Sequence, residues 1–210
     1  DKLKLNNFDK FRNNTSLKSR FTWINENNVD DVDFGKYNRF TGYWQYVNIL
    51  EDNKDYIKES LSKDSYLKKS LKAKPKSGST ALHVRRKDYI NLNEDLNIDF
   101  YENSLNFCYK NIENFHYEVF SDDPEWVEKQ ELFKSATKIH QFNDSKDYTI
   151  QSYGEILEKE NFIVGNSTFS LTAAILKSSI NSKVLVADPW FRQGNTNITP
   201  KSNWVLIPNK

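Results

Sequence analysis

Sulfur is almost absent from this chain, which carries one cysteine, Cys108, and no methionine in 210 residues. A lone thiol excludes an intrachain disulfide and favours a reducing, cytoplasmic setting. Three scattered histidines, His83, His116 and His140, lack the spacing of a zinc site. No apolar run approaches the ~18 to 20 residues that cross a bilayer, and no charged-then-apolar leader opens the chain. At most a peripheral contact with a membrane is expected. Net charge is missing too, with 30 Lys+Arg against 29 Asp+Glu, which argues against a general binder of polyanions such as nucleic acid. A chain without methionine that begins Asp1-Lys2-Leu3 is expected to lack its natural start. The sequons at Asn13, Asn14, Asn166 and Asn197 arise readily by chance in so asparagine-rich a sequence.

What is present is an alternation. From Ser79 onward, short β-branched runs alternate with helical patterns, the signature of βα units on a parallel sheet. Strands are expected at 79–84, 117–120, 137–141, 162–164, 183–186 and 204–207. Asp99 with Glu102 three residues on predicts a capped helix start running to Asn111. Pro124 marks another start, Asp147 is placed to cap 148–159, and 168–177 presents Leu171, Ala174 and Ile175 on one face. Upstream, 55–71 reads as one amphipathic helix through Ile57, Leu61, Leu67 and Leu71, ended by Lys74-Pro75-Lys76-Ser77-Gly78. That break divides the chain into 1–74 and 75–210. Residues 1–50 are aromatic-rich, and Trp23, Tyr43, Trp44 and Tyr46 suit a core better than a sugar-stacking surface.

Three loops that follow strands carry the chemistry. In His83-Val84-Arg85-Arg86-Lys87-Asp88-Tyr89, two guanidiniums follow a strand directly. Each is a permanent charge with a planar donor fork that fits phosphate or carboxylate. Asp88 can pair with one of them and leave the other facing outward. The second loop, Ser121-Asp122-Asp123-Pro124, sets two carboxylates before a helix. One suits a cap, and the other is free to accept from guanine N1–H and its amino group. The third, Asn166-Ser167-Thr168-Phe169-Ser170, offers hydroxyls and backbone N–H groups at a helix start, a favourable place for an anion. Ligands of open α/β sheets gather at the strands' carboxyl ends, so the three together describe a site for a nucleoside diphosphate.

These motifs, with Trp126 and with Thr41-Gly42-Tyr43-Trp44-Gln45 upstream, resemble the bacterial α-1,2-fucosyltransferases of glycosyltransferase family 11, from about Phe34 onward. The resemblance implies a GT-B-like α/β fold, with residues 75–210 as the GDP-sugar-binding Rossmann-like domain and 1–74 as part of an acceptor-side domain. It implies an inverting, metal-independent transfer of fucose from GDP-fucose to a terminal β-galactoside. There is then no cofactor besides the donor, and the setting is the bacterial cytoplasm, with peripheral contact at the inner membrane. Arg85 and Arg86 are similar to the family's diphosphate-holding arginines, Arg85 foremost, and His83 would lie near the nucleoside. Asp88, Asn166 and Phe169 belong to the same motifs; Asp122 or Asp123 would read guanine; and Ser167, Thr168 and Ser170 would contact phosphate. The family's Gly-Gly-Leu-Gly-Asn-Gln stretch has no counterpart before residue 34, which predicts an intact donor side and an incomplete acceptor side. Asp31-Val32-Asp33 spells the metal-binding motif of another transferase class, a weak match in a chain this rich in aspartate.

Overall fold

The computed structural model describes residues 23–25, 39–41, 46–141, 146–192 and 200–209. It divides into two units, Asp1–Gln45 and Tyr46–Lys210. In the first, β1 (Trp23–Asn25) and β2 (Arg39–Thr41) pair in parallel. Asp31, Asp33, Tyr43, Trp44, Asn13, Asn14, Asn197 and the 42–45 part of the upstream family segment lie outside the described residues, as does the side chain of Trp23.

The second unit is a six-stranded, all-parallel sheet of β3 (Ser79–Val84), β4 (His116–Ser121), β5 (Lys138–Gln141), β6 (Asn161–Val164), β7 (Val184–Asp188) and β8 (Val205–Pro208). Their order across the sheet is β5-β4-β3-β6-β7-β8. Helices cover both faces, so alternate side chains of each strand enter different cores. Ala81, Phe162, Val164, Val184 and Val186 pack on one side, while Leu82, Val84, Ile163 and Leu185 pack on the other. The first face carries α1 (Val47–Asp52), α2 (Lys54–Leu61), α3 (Ser65–Lys72), α7 (Lys146–Leu157) and α8 (Thr168–Lys177). The second carries α5 (Ile98–Asn111) and α6 (Pro124–Lys129). The short α4 (Lys87–Asn91) follows β3. This is a Rossmann-like, doubly wound domain.

The six expected strands are all present, shifted by a residue or two at their ends. The helices depart further from expectation. The single helix expected over 55–71 is two, because Asp64 interrupts it and caps α3 by accepting from the Tyr66 and Leu67 N–H groups at 2.9 and 3.0 Å. Helix α5 opens one residue before Asp99, with Asn97 as its cap accepting from the Phe100 N–H at 3.1 Å. Asp147 lies inside the first turn of α7. Val47 and Leu67 belong to the same core as the sheet, with Leu50, Ile57, Leu61 and Leu71 packed against it. Packing therefore groups α1 to α3 with the sheet and divides the chain after Gln45, where the sequence pattern suggests a division after Lys74.

Strand order reverses between β3 and β6: the chain runs outward through β4 and β5, then returns to β6 beside β3. The crevice at the carboxyl ends of those two strands is where ligands of such sheets bind. The strands close tightly there. A Cβ added at Gly165, immediately after β6, would lie 3.1 Å from the His83 carbonyl oxygen.

Candidate active site at the sheet switch point

The three motifs converge on this edge because β3, β4 and β6 are neighbours that end together. Of the two arginines, Arg86 faces inward. Its Nε donates to Asp123 Oδ2 at 3.1 Å, its Nη1 to Asp95 Oδ2 at 3.2 Å, and its guanidinium lies 3.9 Å from the centre of the Trp126 ring. A cation over an indole gains further from partial burial. Asp123 also caps α6, accepting from the Trp126 N–H at 3.2 Å, and so ties the arginine loop to the helix start.

Arg85 is the outward arginine, with 36% of its side chain exposed. Its Nη2 meets Asp88 Oδ1 at 2.8 Å and its Nη1 lies 3.1 Å from Asp122 Oδ2. The arginine not held by Asp88 was expected to face outward; instead Asp88 pairs with the exposed one. Burial works against the Arg85 charge, but the hydrogen bond to Asp88 and the charges of Asp122 and Asp88 outweigh it, and its pKa stands above the ordinary value.

Asp122 is 3% exposed. Its Oδ1 accepts the Arg86 backbone N–H at 2.8 Å, while Oδ2 faces Arg85 as an ion pair without hydrogen-bond alignment. Burial raises its pKa against the opposing pull of the Arg86 N–H and the Arg85 charge. The acidic loop therefore sets the arginines. Both Asp123 oxygens accept a hydrogen bond within the protein and the Asp122 carboxylate is buried.

The hydroxyl-rich loop is also partly committed. His83, expected near the nucleoside, is 2% exposed, and its Nδ1 shares a hydrogen bond of 3.0 Å with Ser170 Oγ, joining the end of β3 to the first turn of α8. Burial, with the Arg85 charge second, lowers its pKa to about 3, so the imidazole is neutral. Ser170 donates to the Ser167 carbonyl at 3.2 Å, which commits the Ser170 hydroxyl within the protein. Phe169 packs edge-on to Tyr153 and tilted against His83. Asn166 is fully buried and donates to the Glu94 carbonyl at 2.6 Å. Ser167 begins α8 without capping it through its side chain. The dipole of α8 favours an anion at this end.

Tyr89 connects the parts. Its hydroxyl donates to the Asn166 carbonyl at 3.0 Å, and the Arg85 guanidinium lies 5.8 Å from its ring centre. Sequence reasoning missed the loop after α4. There Asp95 holds Arg86, and Glu94 Oε2 accepts the Arg192 N–H at 2.6 Å, binding the ends of β3, β6 and β7 together. Nothing in the local pattern Leu92-Asn93-Glu94-Asp95 marks these partners, of which Asn166 and Arg192 lie 72 and 98 residues further along the chain.

A separate cluster, Glu118, His140 and Glu155, brings three potential metal ligands within 4.8 Å of one another. Its charges are matched internally. His140 meets Glu118 at 2.7 Å through Nε2 and Glu155 at 2.6 Å through Nδ1, from different sides of the ring, and Lys159 lies 2.6 Å from Glu118. Such an arrangement is a half-buried ion network.

An arginine fork and a helix start facing one crevice are suited to an anionic leaving group such as a diphosphate. The family model of glycosyl transferase family 11 matches residues 4–207, beginning well before Phe34. The chain belongs to glycosyl transferase family 11. An alpha-1,2-colitosyltransferase from Escherichia coli is 26% identical over 173 residues, a match covering 75% of this chain and 58% of that protein. Among the described residues no helix is long and apolar enough to cross a membrane.

Proposed function

We propose that this family 11 chain transfers L-fucose from GDP-fucose to the 2-hydroxyl of a terminal β-galactoside, with inversion at the anomeric carbon. The observation that carries this reading is Arg85, the half-exposed guanidinium at the switch point, 5.8 Å from the ring of Tyr89, whose hydroxyl reaches the Asn166 carbonyl ahead of α8. When the anomeric C–O bond breaks, negative charge grows on the β-phosphate and oxocarbenium character on the sugar. Arg85 would stabilise that charge as it develops, aided by the α8 N–H groups, with no obligatory metal. Arg86 holds the loop in place. Asp88 is the exchangeable partner, because an exposed ion pair contributes at most about 1 kcal/mol and yields readily to phosphate. The acceptor hydroxyl must lose its proton, and a late transfer with little base assistance is consistent with this site.

A colitosyl donor is the second reading, favoured by the name of the Escherichia coli relative. Calorimetry with GDP, UDP and ADP, followed by transfer from GDP-fucose to a β-galactoside, tests the proposal. It expects GDP to bind best and transfer to survive EDTA. Equal affinity for the three nucleotides would overturn the guanosine donor. Activity lost to EDTA and restored by Mn²⁺ would turn attention to Asp31 and Asp33. A protein that bound free galactosides and ignored GDP would be a sugar-binding module.

A further inference from the structure

We propose that the lysine-bearing face of α3, with the segment that follows it, docks on an anionic phospholipid membrane. Lys63, Lys68, Lys69, Lys72, Lys74 and Lys76 are all exposed and crowd into fourteen consecutive residues. At 100° per residue, Ser65, Lys68, Lys69 and Lys72 fall within an arc of about 100° on α3. The inward arc carries Leu67 and Ser70, both buried, and Leu71, packed against the core. The near-zero net charge of the whole chain conceals this local excess.

Ordinary structural roles for these cations are already filled. Basic residues late in a helix often hydrogen-bond its last carbonyls. Here Lys177, from α8, does so, donating to the Leu71 and Ala73 carbonyls at 2.9 and 3.0 Å. The acids nearby are engaged elsewhere. Asp64 caps α3, Glu158 accepts from the Ser70 hydroxyl at 2.9 Å, and Glu160 accepts the Gly78 N–H at 2.7 Å. None of the six ammonium groups is ion-paired with a carboxylate among the described residues.

The chemistry of the patch selects the partner. It contains lysine and no arginine between Phe40 and Val84, and its one ring, Tyr66, is turned to α7, close over Gly154. Reading nucleic acid calls for guanidinium forks and stacking rings. Flexible, strongly hydrated point charges on one helix face suit the diffuse negative potential of lipid headgroups. Lys74 and Lys76 also lead into the start of β3, the end of the sheet opposite the switch point, so docking there leaves the site's edge uncovered.

Sedimentation of the full chain with vesicles tests this. Binding is expected to phosphatidylcholine vesicles that contain phosphatidylglycerol and not to phosphatidylcholine alone, and it should fade at high salt. Lys68→Gln/Lys69→Gln/Lys72→Gln should weaken partitioning on the order of 100-fold, from about fivefold per lysine. Lys110→Gln/Lys129→Gln/Lys134→Gln, the same charge change on the other helix layer, should leave it nearly unchanged. Circular dichroism of both variants confirms the fold. Equal binding to neutral vesicles, equal loss in both variants, or tighter binding to a single-stranded RNA oligonucleotide than to the anionic vesicles would overturn the proposal.

Discussion

Replacing Arg85 with alanine separates catalysis from stability. The Asp88 side it loses is exposed, worth about 0 to 1 kcal/mol. The Asp122 side costs more, because that carboxylate is 3% exposed and keeps the Arg86 N–H but loses the guanidinium facing it. Stranding a buried polar group of this kind costs about 1 to 3 kcal/mol. A net loss of about 2 kcal/mol corresponds to a Tm lower by about 4 to 8 °C for a domain of this size. Turnover should fall much further, by about 10² to 10³-fold, the scale for one donor to a developing oxyanion. Arg85→Lys keeps the charge without the fork and should recover little. The decisive variant is Arg85→Ala with Asp122→Asn. Neutralising the stranded carboxylate should return most of the lost Tm and none of the lost turnover. Calorimetry for Tm and GDP release from GDP-fucose for turnover measure the two effects. Near wild-type turnover in Arg85→Ala, or recovery of turnover in the double variant, would refute the assignment.

Arg86→Ala should destabilise more than Arg85→Ala, by about 2 to 4 kcal/mol in urea unfolding, because Asp123, Asp95 and Trp126 all lose their partner; a smaller effect than that of Arg85→Ala would contradict its inward role. Gly165→Ala should cost about 1 to 3 kcal/mol and weaken GDP binding, since the His83 carbonyl 3.1 Å from the new Cβ must give way; an unchanged Tm would show that the crevice is slack. The His140 network predicts a pH optimum of stability. Burial opposes the imidazolium, but the hydrogen bonds to Glu118 and Glu155 and the Glu155 charge raise its pKa above 6.5, so its contribution is complete below that value and disappears as pH rises through the raised pKa. Burial also opposes the Glu118 charge, yet the His140 and Lys159 hydrogen bonds pull its pKa from 4.5 to about 2, so its contribution is complete above 4.5 and is lost as pH falls toward 2. Both contributions coexist between 4.5 and 6.5. His140→Gln should flatten the alkaline side of a Tm-against-pH curve; an unaltered curve would show that the network does not control it.

The strands were legible because burial on both faces demands uninterrupted apolar or β-branched runs, as in Thr80-Ala81-Leu82 and Phe162-Ile163-Val164. Pro124 after Asp123 announced α6 by local chemistry alone, since a capping carboxylate and a fixed φ act within a few residues. The motifs carrying Arg85, Asp122 and Ser167 were equally visible, and a parallel sheet with its ligands at the carboxyl ends implied that they would meet. Adjacent arginines carry no mark of which one faces the core. That choice came from partners far along the chain: Asp123, 37 residues from Arg86, and Asp122, 36 residues away, reached through strand pairing. The same holds for His83, which a ligand could have claimed until Ser170, 87 residues on, took its ring nitrogen. It holds as well for the lysines of α3, whose freedom depends on Lys177 capping that helix from another element. Sequence spacing determines periodicity and local capping, which are short-ranged; the pairing of charges inside a fold is decided by which strands become neighbours, and only the tertiary structure brings those side chains within reach.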